Sequence, residues 1–100
     1  MGAKIQLRAT RGTMDITRKA TAGTMQSSDL LVHVEPADRL EIEVDSTVKK
    51  QFEHLILAQI ERTLARHGVT RGKVRVSDRG ALDYAIDARV ETALRRAAEA

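Results

Sequence analysis

From Leu30 onward the chain is written in two rhythms. Leu30, Val32 and Val34 alternate with Leu31, His33 and Glu35, and Leu40, Ile42 and Val44 alternate with Glu41 and Glu43. A period of two puts successive side chains on opposite faces of a pleated strand, so each run predicts a strand with one apolar face. Pro36-Ala37-Asp38 predicts the turn between them. Val48, Phe52, Leu55, Ile56, Ile60 and Leu64 then step by three and four, the spacing of one buried helix face. Ser46 or Thr47 is placed to cap the start of that helix, and Gly68, after Arg66-His67, to end it. Val74 and Val76 between Lys73 and Arg75 predict a further short strand, broken by Asp78-Arg79-Gly80. Leu82, Ile86, Val90, Leu94 and Ala97 trace a second amphipathic helix.

Ahead of Leu30 the signal is weaker. A strand-like segment leads into Ala22-Gly23-Thr24-Met25-Gln26-Ser27-Ser28-Asp29, whose small polar residues predict a turn at a hairpin tip. The expected order is β-β-β-α-β-α. Helices that cover one face of a mostly antiparallel sheet make an α+β fold, and a small sheet of this kind under two helices is the architecture predicted here. Ile5, Leu7, Met14 and Ile16 alternate loosely, so residues 1–19 are either a flexible arm or an added strand, with residues 20–100 forming a single domain.

Charge and composition narrow the functional classes. The net charge of +3 is unevenly placed: residues 1–19 hold five basic side chains against Asp15, and the rest of the chain holds 12 basic and 13 acidic ones. The body is nearly neutral and the basicity belongs to the N-terminal arm. With 42% hydrophobic residues but only Phe52 and Tyr84 as aromatics, the core must be built from aliphatic side chains. No cysteine is present, which excludes disulfides, thiolate metal sites and a thiol nucleophile from the chain itself. No apolar run approaches the roughly 18 residues that span a bilayer, and the first residues lack a signal-peptide core. A cytoplasmic protein without membrane contact is expected.

Candidate chemistry is sparse. His33, His54 and His67 fall on separate elements without the spacing of a zinc motif, and no metal site is expected. No Gly-x-Ser-x-Gly elbow, phosphate loop or dinucleotide fingerprint occurs, so no catalytic residue is assigned. Arg71, Lys73, Arg75 and Arg79 form a basic strip, but the strands carry no aromatic platform on which bases could stack, and nucleic acid is not the expected partner. Asp45-Ser46-Thr47 looks superficially like the Asp-Ser motif at which ordinary acyl carrier proteins attach phosphopantetheine. Those are acidic helical bundles, however, and a strand-to-helix junction explains Ser46 as a cap.

Three separated stretches carry a family resemblance: "AGTMQSSDLLVHVEP", "STVKKQFEHLI" and "SDRGALDYAIDARVETALRRA". In order and spacing, from about Ala22 to Ala97, they resemble the citrate lyase acyl carrier protein, the small gamma subunit. The resemblance implies that the serine of an Ala-Gly-Thr-x-x-Ser-x-Asp stretch bears 2'-(5''-phosphoribosyl)-3'-dephospho-CoA through a phosphodiester. By position that serine is Ser27. Gln26 stands where the family has Glu, and Ser28 stands where it usually has Gly, which makes Ser28 the second candidate hydroxyl. The implied function is a non-catalytic bacterial carrier of citrate fermentation, holding acetyl and citryl thioesters between the alpha (transferase) and beta (lyase) subunits after loading by a prosthetic-group transferase. An imported thiol agrees with the lack of cysteine. The carriers of malonate decarboxylase and citramalate lyase resemble this chain at the serine turn, but Lys50-Gln51-Phe52 and Gly80-Ala81-Leu82-Asp83 point to citrate lyase. From a different class, the alternative is a small basic RNA- or protein-binding α+β module using the arm and the Arg71–Arg79 strip.

Overall fold

In the computed structural model, which describes residues 14–46 and 50–98, four strands and two helices follow the expected order. They are β1 (Ala20–Gly23), β2 (Leu30–Glu35), β3 (Leu40–Ser46), a 3-10 turn (Lys50–Phe52), α1 (Glu53–Arg66), β4 (Gly72–Asp78) and α2 (Asp83–Ala98). The sheet runs β1-β2-β4-β3. β1 with β2 and β2 with β4 are antiparallel, whereas β3 and β4 are parallel. The sheet is therefore mixed. Its parallel pair follows from the connection: α1 carries the chain back along the sheet, so β4 starts at the same end as β3.

The alternating pattern is realised most strictly in the two central strands. Leu30, Val32 and Val34 of β2, and Val74 and Val76 of β4, are buried on the face that meets the helices. α2 lies over β1 and β2, α1 lies over β3, and the helices pack on each other. Ile56, Ile60 and Leu64 from α1, and Ile86, Val90, Ala93, Leu94 and Ala97 from α2, close that layer. No described helix covers the opposite sheet face. There Glu41 and Glu43 of β3 pair in register with Lys73 and Arg75 of β4, so the basic strip is interleaved with acids.

The helix ends depart from expectation at one terminus and meet it at the other. Gly68 adopts φ 72°. Val69 N–H donates to the Leu64 carbonyl (3.0 Å) and Gly68 N–H to that of Ala65 (3.0 Å), a Schellman stop with Val69 buried against the core. At the start of α1, Ser46 is not at the N-cap position. It is the last residue of β3, paired with Asp78, and α1 begins after the 3-10 turn with Phe52 at the N-cap position and no side-chain cap hydrogen bond. Thr47 and Val48 lie outside the described residues. Phe52, Leu55 and Leu82, expected on buried helix faces, are exposed, because each lies at a helix start that no other described element covers.

Of the N-terminal arm, residues 1–13 lie outside the described residues. Met14 N–H donates to the His67 carbonyl (2.8 Å), and Thr17 donates to the Ala97 carbonyl through both its N–H (3.1 Å) and Oγ1 (2.8 Å). Ile16 is buried, with its Cδ1 beside Gly72.

Candidate functional site: the Thr24–Asp29 loop

The segment between β1 and β2 begins at a neck that admits only glycine. Gly23 has φ 99°, and a Cβ on it would run into the Leu30 carbonyl. Beyond the neck, Thr24 N–H donates to the Leu30 carbonyl (3.0 Å), which carries the ladder one step further.

The rest of the loop is organised around one carboxylate. Oδ2 of Asp29 accepts from Thr24 Oγ1 (2.6 Å) and Arg89 Nη2 (2.9 Å). Oδ1 accepts from Leu30 N–H (2.7 Å) and Arg89 Nε (3.1 Å). Arg89 thus engages both oxygens with its fork, the strongest geometry open to a guanidinium. Its hydrogen bonds, then that of Thr24, hold the Asp29 carboxyl at a pKa of about 2. The Thr24 hydroxyl in turn accepts from Gln26 N–H (3.2 Å), and the Gln26 carbonyl accepts from Asp29 N–H (3.2 Å).

A second anchor comes from the turn after β4. Ser28 N–H donates to the Arg79 carbonyl and Arg79 N–H donates to the Asp29 carbonyl, both at 2.8 Å. Reaching that partner puts Ser28 at φ 66°, in the left-handed region that glycine occupies at no steric cost. Ser27 lies between the two anchors. Its residue is exposed, and its hydroxyl makes no hydrogen bond among the described residues.

Ser46 has the opposite environment. It is fully buried, its Oγ donates to Asp78 Oδ2 (3.0 Å), and its N–H donates to Glu53 Oε2 (2.8 Å). Asp78 Oδ1 accepts from Ala81 N–H (3.0 Å). A hydroxyl in that position joins β3 to β4 and offers nothing to an enzyme outside. Ser46 is thus held as a buried link between the two strands.

The topology gathers the loop, the C-terminal ends of β3 and β4, and the starts of both helices at one end of the molecule. Six large hydrophobic residues are exposed among the described ones, and five of them (Met25, Phe52, Leu55, Leu82 and Tyr84) are at this end. Among the described residues no group of three His, Asp or Glu side chains could hold a metal ion. His33 Nε2 lies 2.8 Å from Glu35 Oε1 on the open sheet face. Sequence reasoning missed Arg89 and Arg79, the residues that fix the loop. They come from α2 and the β4–α2 turn, and no local pattern connects them to Asp29 or Ser28.

Residues 17–97 match the family model described as "ACP: Malonate decarboxylase delta subunit (MdcD)". The chain is 49% identical over 86 residues to the citrate lyase acyl carrier protein of Haemophilus influenzae (strain PittEE), covering 86% of this chain and 90% of that protein. It is 53% identical over 85 residues to the citrate lyase acyl carrier protein of Albidiferax ferrireducens, covering 83% and 87%. Its fold is similar to a chain in the crystal structure of a Pseudomonas malonate decarboxylase hetero-tetramer in complex with malonate, with a TM-score of 0.69, 22% identity and coverage of 84% and 88%. The Gly23 neck, the Asp29-centred loop and the mixed sheet below it thus occur in a chain that belongs to the citrate lyase acyl carrier protein family.

Proposed function

We propose that this carrier is the acyl carrier subunit of a citrate lyase and that Ser27 is the residue to which its prosthetic group is attached. The observation that carries the assignment is that a rigidly held loop backbone presents the exposed hydroxyl of Ser27, which, like that of Ser28, makes no hydrogen bond among the described residues. A transferase active site can enclose such a hydroxyl without opening a strand, since loops on a rigid sheet hold their shape while staying accessible.

The residues present fit the group. Nothing among the described residues covers Ser27, and Arg79, whose backbone is bonded to Ser28 and Asp29, makes no ion pair among them, leaving a cation in the adjoining turn for an anionic diester. When bound, 2'-(5''-phosphoribosyl)-3'-dephospho-CoA supplies the thiol that this cysteine-free chain lacks. The chain itself supplies the tether. Asp29, Arg89 and Ser28 fix the point from which the arm swings, and tethering raises the effective concentration of the acyl group at each partner site. The exposed apolar residues around the loop suit successive docking on the alpha and beta subunits of a cytoplasmic complex.

Ser27 is favoured over Ser28 by backbone conformation. A residue held at φ 66° with its N–H engaged is part of the turn's frame, whereas Ser27 is held only through its neighbours. The family model and the malonate decarboxylase neighbour support a second reading, the carrier of a malonate decarboxylase. Identities of 49–53% to citrate lyase carriers favour the first.

Intact mass and fragmentation of the chain purified from its own host, while the lyase is being made, test the assignment. A covalent increment on the peptide containing Ser27, with copurification of transferase and lyase subunits, is expected. An increment elsewhere, or copurification with decarboxylase subunits, overturns the corresponding part.

A further inference from the structure

Between the N-terminal ends of α1 and α2 lies a groove of about 180 Å³. Small-molecule sites usually offer roughly 300–1,000 Å³, so this one is sized for a single side chain rather than a cofactor. Phe52, Leu55, Ile56, Ala81 and Ile86 give it apolar walls, and Asp78, Asp83 and Gln59 complete its lining. No basic side chain among the described residues lines it. Phe52 is 43% exposed and Leu55 55%, so the mouth is open to a partner.

The three polar residues differ in what they have left to offer. Asp78 is buried, and its oxygens already accept from Ser46 Oγ (3.0 Å) and Ala81 N–H (3.0 Å). Asp83 is exposed in the first turn of α2, and its carboxylate has no partner among the described residues. Gln59 donates through Nε2 to the Asp83 carbonyl (2.7 Å) and Asp87 Oδ1 (3.0 Å). Both of those groups are acceptors, so the amide nitrogen faces them, and the amide oxygen is left without a partner among the described residues. The groove therefore joins apolar walls to two free acceptors, one of them charged. A long aliphatic stem that ends in a cation matches both parts, because arginine and lysine bury their methylenes while the head stays at a polar rim.

The location of the groove narrows the partner. It opens at the end of the molecule that carries the Ser27 loop. The lyase subunits meet a thiol at the far end of a long arm, whereas the enzyme that loads the group must bring its own active site up to the Ser27 hydroxyl. We propose that the prosthetic-group transferase docks on this end by inserting an arginine or lysine side chain into the α1–α2 groove. The stem lies between Phe52, Leu55 and Ile86, and the head meets Asp83 and Gln59. The inference rests on the carrier reading above and goes beyond it by assigning a recognition site for the loading step.

The test follows loading of the full, unmodified chain by the transferase, read as the mass increment at Ser27 against carrier concentration. Leu55→Ser is expected to raise KM roughly tenfold with kcat unchanged, the effect of losing a central interface contact. Asp83→Asn is expected to raise KM about threefold to fivefold, as for an exposed ion pair, with Asp83→Glu close to wild type. Asp38→Asn, in the β2–β3 turn at the opposite end, should load like wild type, and unfolding midpoints check that every variant is folded. If Ser27 is loaded with the same KM in wild type, Leu55→Ser and Asp83→Asn, docking in the groove is overturned while the carrier reading stands. A rise in Leu55→Ser without one in Asp83→Asn overturns the cationic occupant. No increment at Ser27 in wild type despite the transferase overturns both readings.

Discussion

Two serines in this chain look interchangeable in sequence and are opposites in space. Each follows a strand-like stretch and has an aspartate close by, Asp29 two residues after Ser27 and Asp45 just before Ser46. Ser27, however, lies in the loop between β1 and β2, whereas Ser46 is the last residue of β3. Ser46 is fully buried and its hydroxyl is bonded to Asp78, so its value is structural. Ser27 is exposed and its hydroxyl has no partner among the described residues, while Thr24, Gln26, Ser28 and Asp29 carry the loop's hydrogen bonds. An attachment residue must leave the molecule unharmed when its hydroxyl is consumed. Ser27 meets that condition and Ser46 cannot.

The widest separation comes from exchanging each hydroxyl for hydrogen. Ser27→Ala is expected to abolish the covalent increment in intact mass while changing stability by no more than about 0.5 kcal/mol, the usual range for an exposed position. Ser46→Ala is expected to do the reverse. It leaves a buried Asp78 oxygen without its donor, a loss of about 1–3 kcal/mol in denaturant unfolding, with the increment at Ser27 unchanged. Attachment surviving Ser27→Ala would reverse the comparison.

The loop's neck gives the next largest effect. Gly23→Ala would force a Cβ toward the Leu30 carbonyl at φ 99°. Backbone strain of this kind costs about 1–3 kcal/mol, and the chain must also shift to relieve the clash. A lower unfolding midpoint with weakened attachment is expected. An unchanged midpoint would show that the neck does not constrain the loop.

How much of this was legible in sequence depends on what set each feature. Leu30, Val32 and Val34 read as a strand because one face of β2 is buried and the other open, which is what a two-residue period records. Ile86, Val90 and Leu94 read as a helix for the corresponding reason. Periodicity does not record pairing direction, so the parallel alignment of β3 with β4 was not visible. Nor does it say which turn of an apolar helix face lacks a neighbour, and Phe52 and Leu55 were misplaced in the core. The loop was legible as a turn from its small polar residues. Its stiffness was not, because Asp29 is held by Arg89, 60 residues away.

That clamp supplies a pH-dependent test of how the loop is held. The Asp29 carboxyl is lowered from 3.8 to about 2, chiefly by Arg89. A depressed folded-state value stabilises the protein above the unfolded value and ceases to do so as pH falls through the folded one. The contribution is therefore expected to be complete above about pH 4 and to fade toward about pH 2. Arg89 is 41% exposed, so water screens the pair and the effect is on the order of 1 kcal/mol. Unfolding free energies at intervals across that window should fall more steeply for wild type than for Asp29→Asn. Parallel curves would mean that the clamp adds nothing to the loop's rigidity.

The smallest expected change separates the two neighbouring hydroxyls. Ser28 occupies a left-handed conformation at φ 66°, which disfavours a residue with a Cβ by roughly 1–2 kcal/mol. Ser28→Gly removes that cost, but a glycine also gives the unfolded chain more freedom, an opposing effect of about 0.4–1 kcal/mol. The two nearly cancel, so the unfolding midpoint should rise only slightly. The Ser28 N–H still reaches the Arg79 carbonyl in the glycine variant, because that bond uses backbone alone. Ser27 should therefore stay in place, and fragmentation mass spectrometry should find the increment on Ser27 at wild-type occupancy. If the increment instead disappears in Ser28→Gly and persists in Ser27→Ala, the attachment point is Ser28, and its left-handed backbone is what presents the hydroxyl.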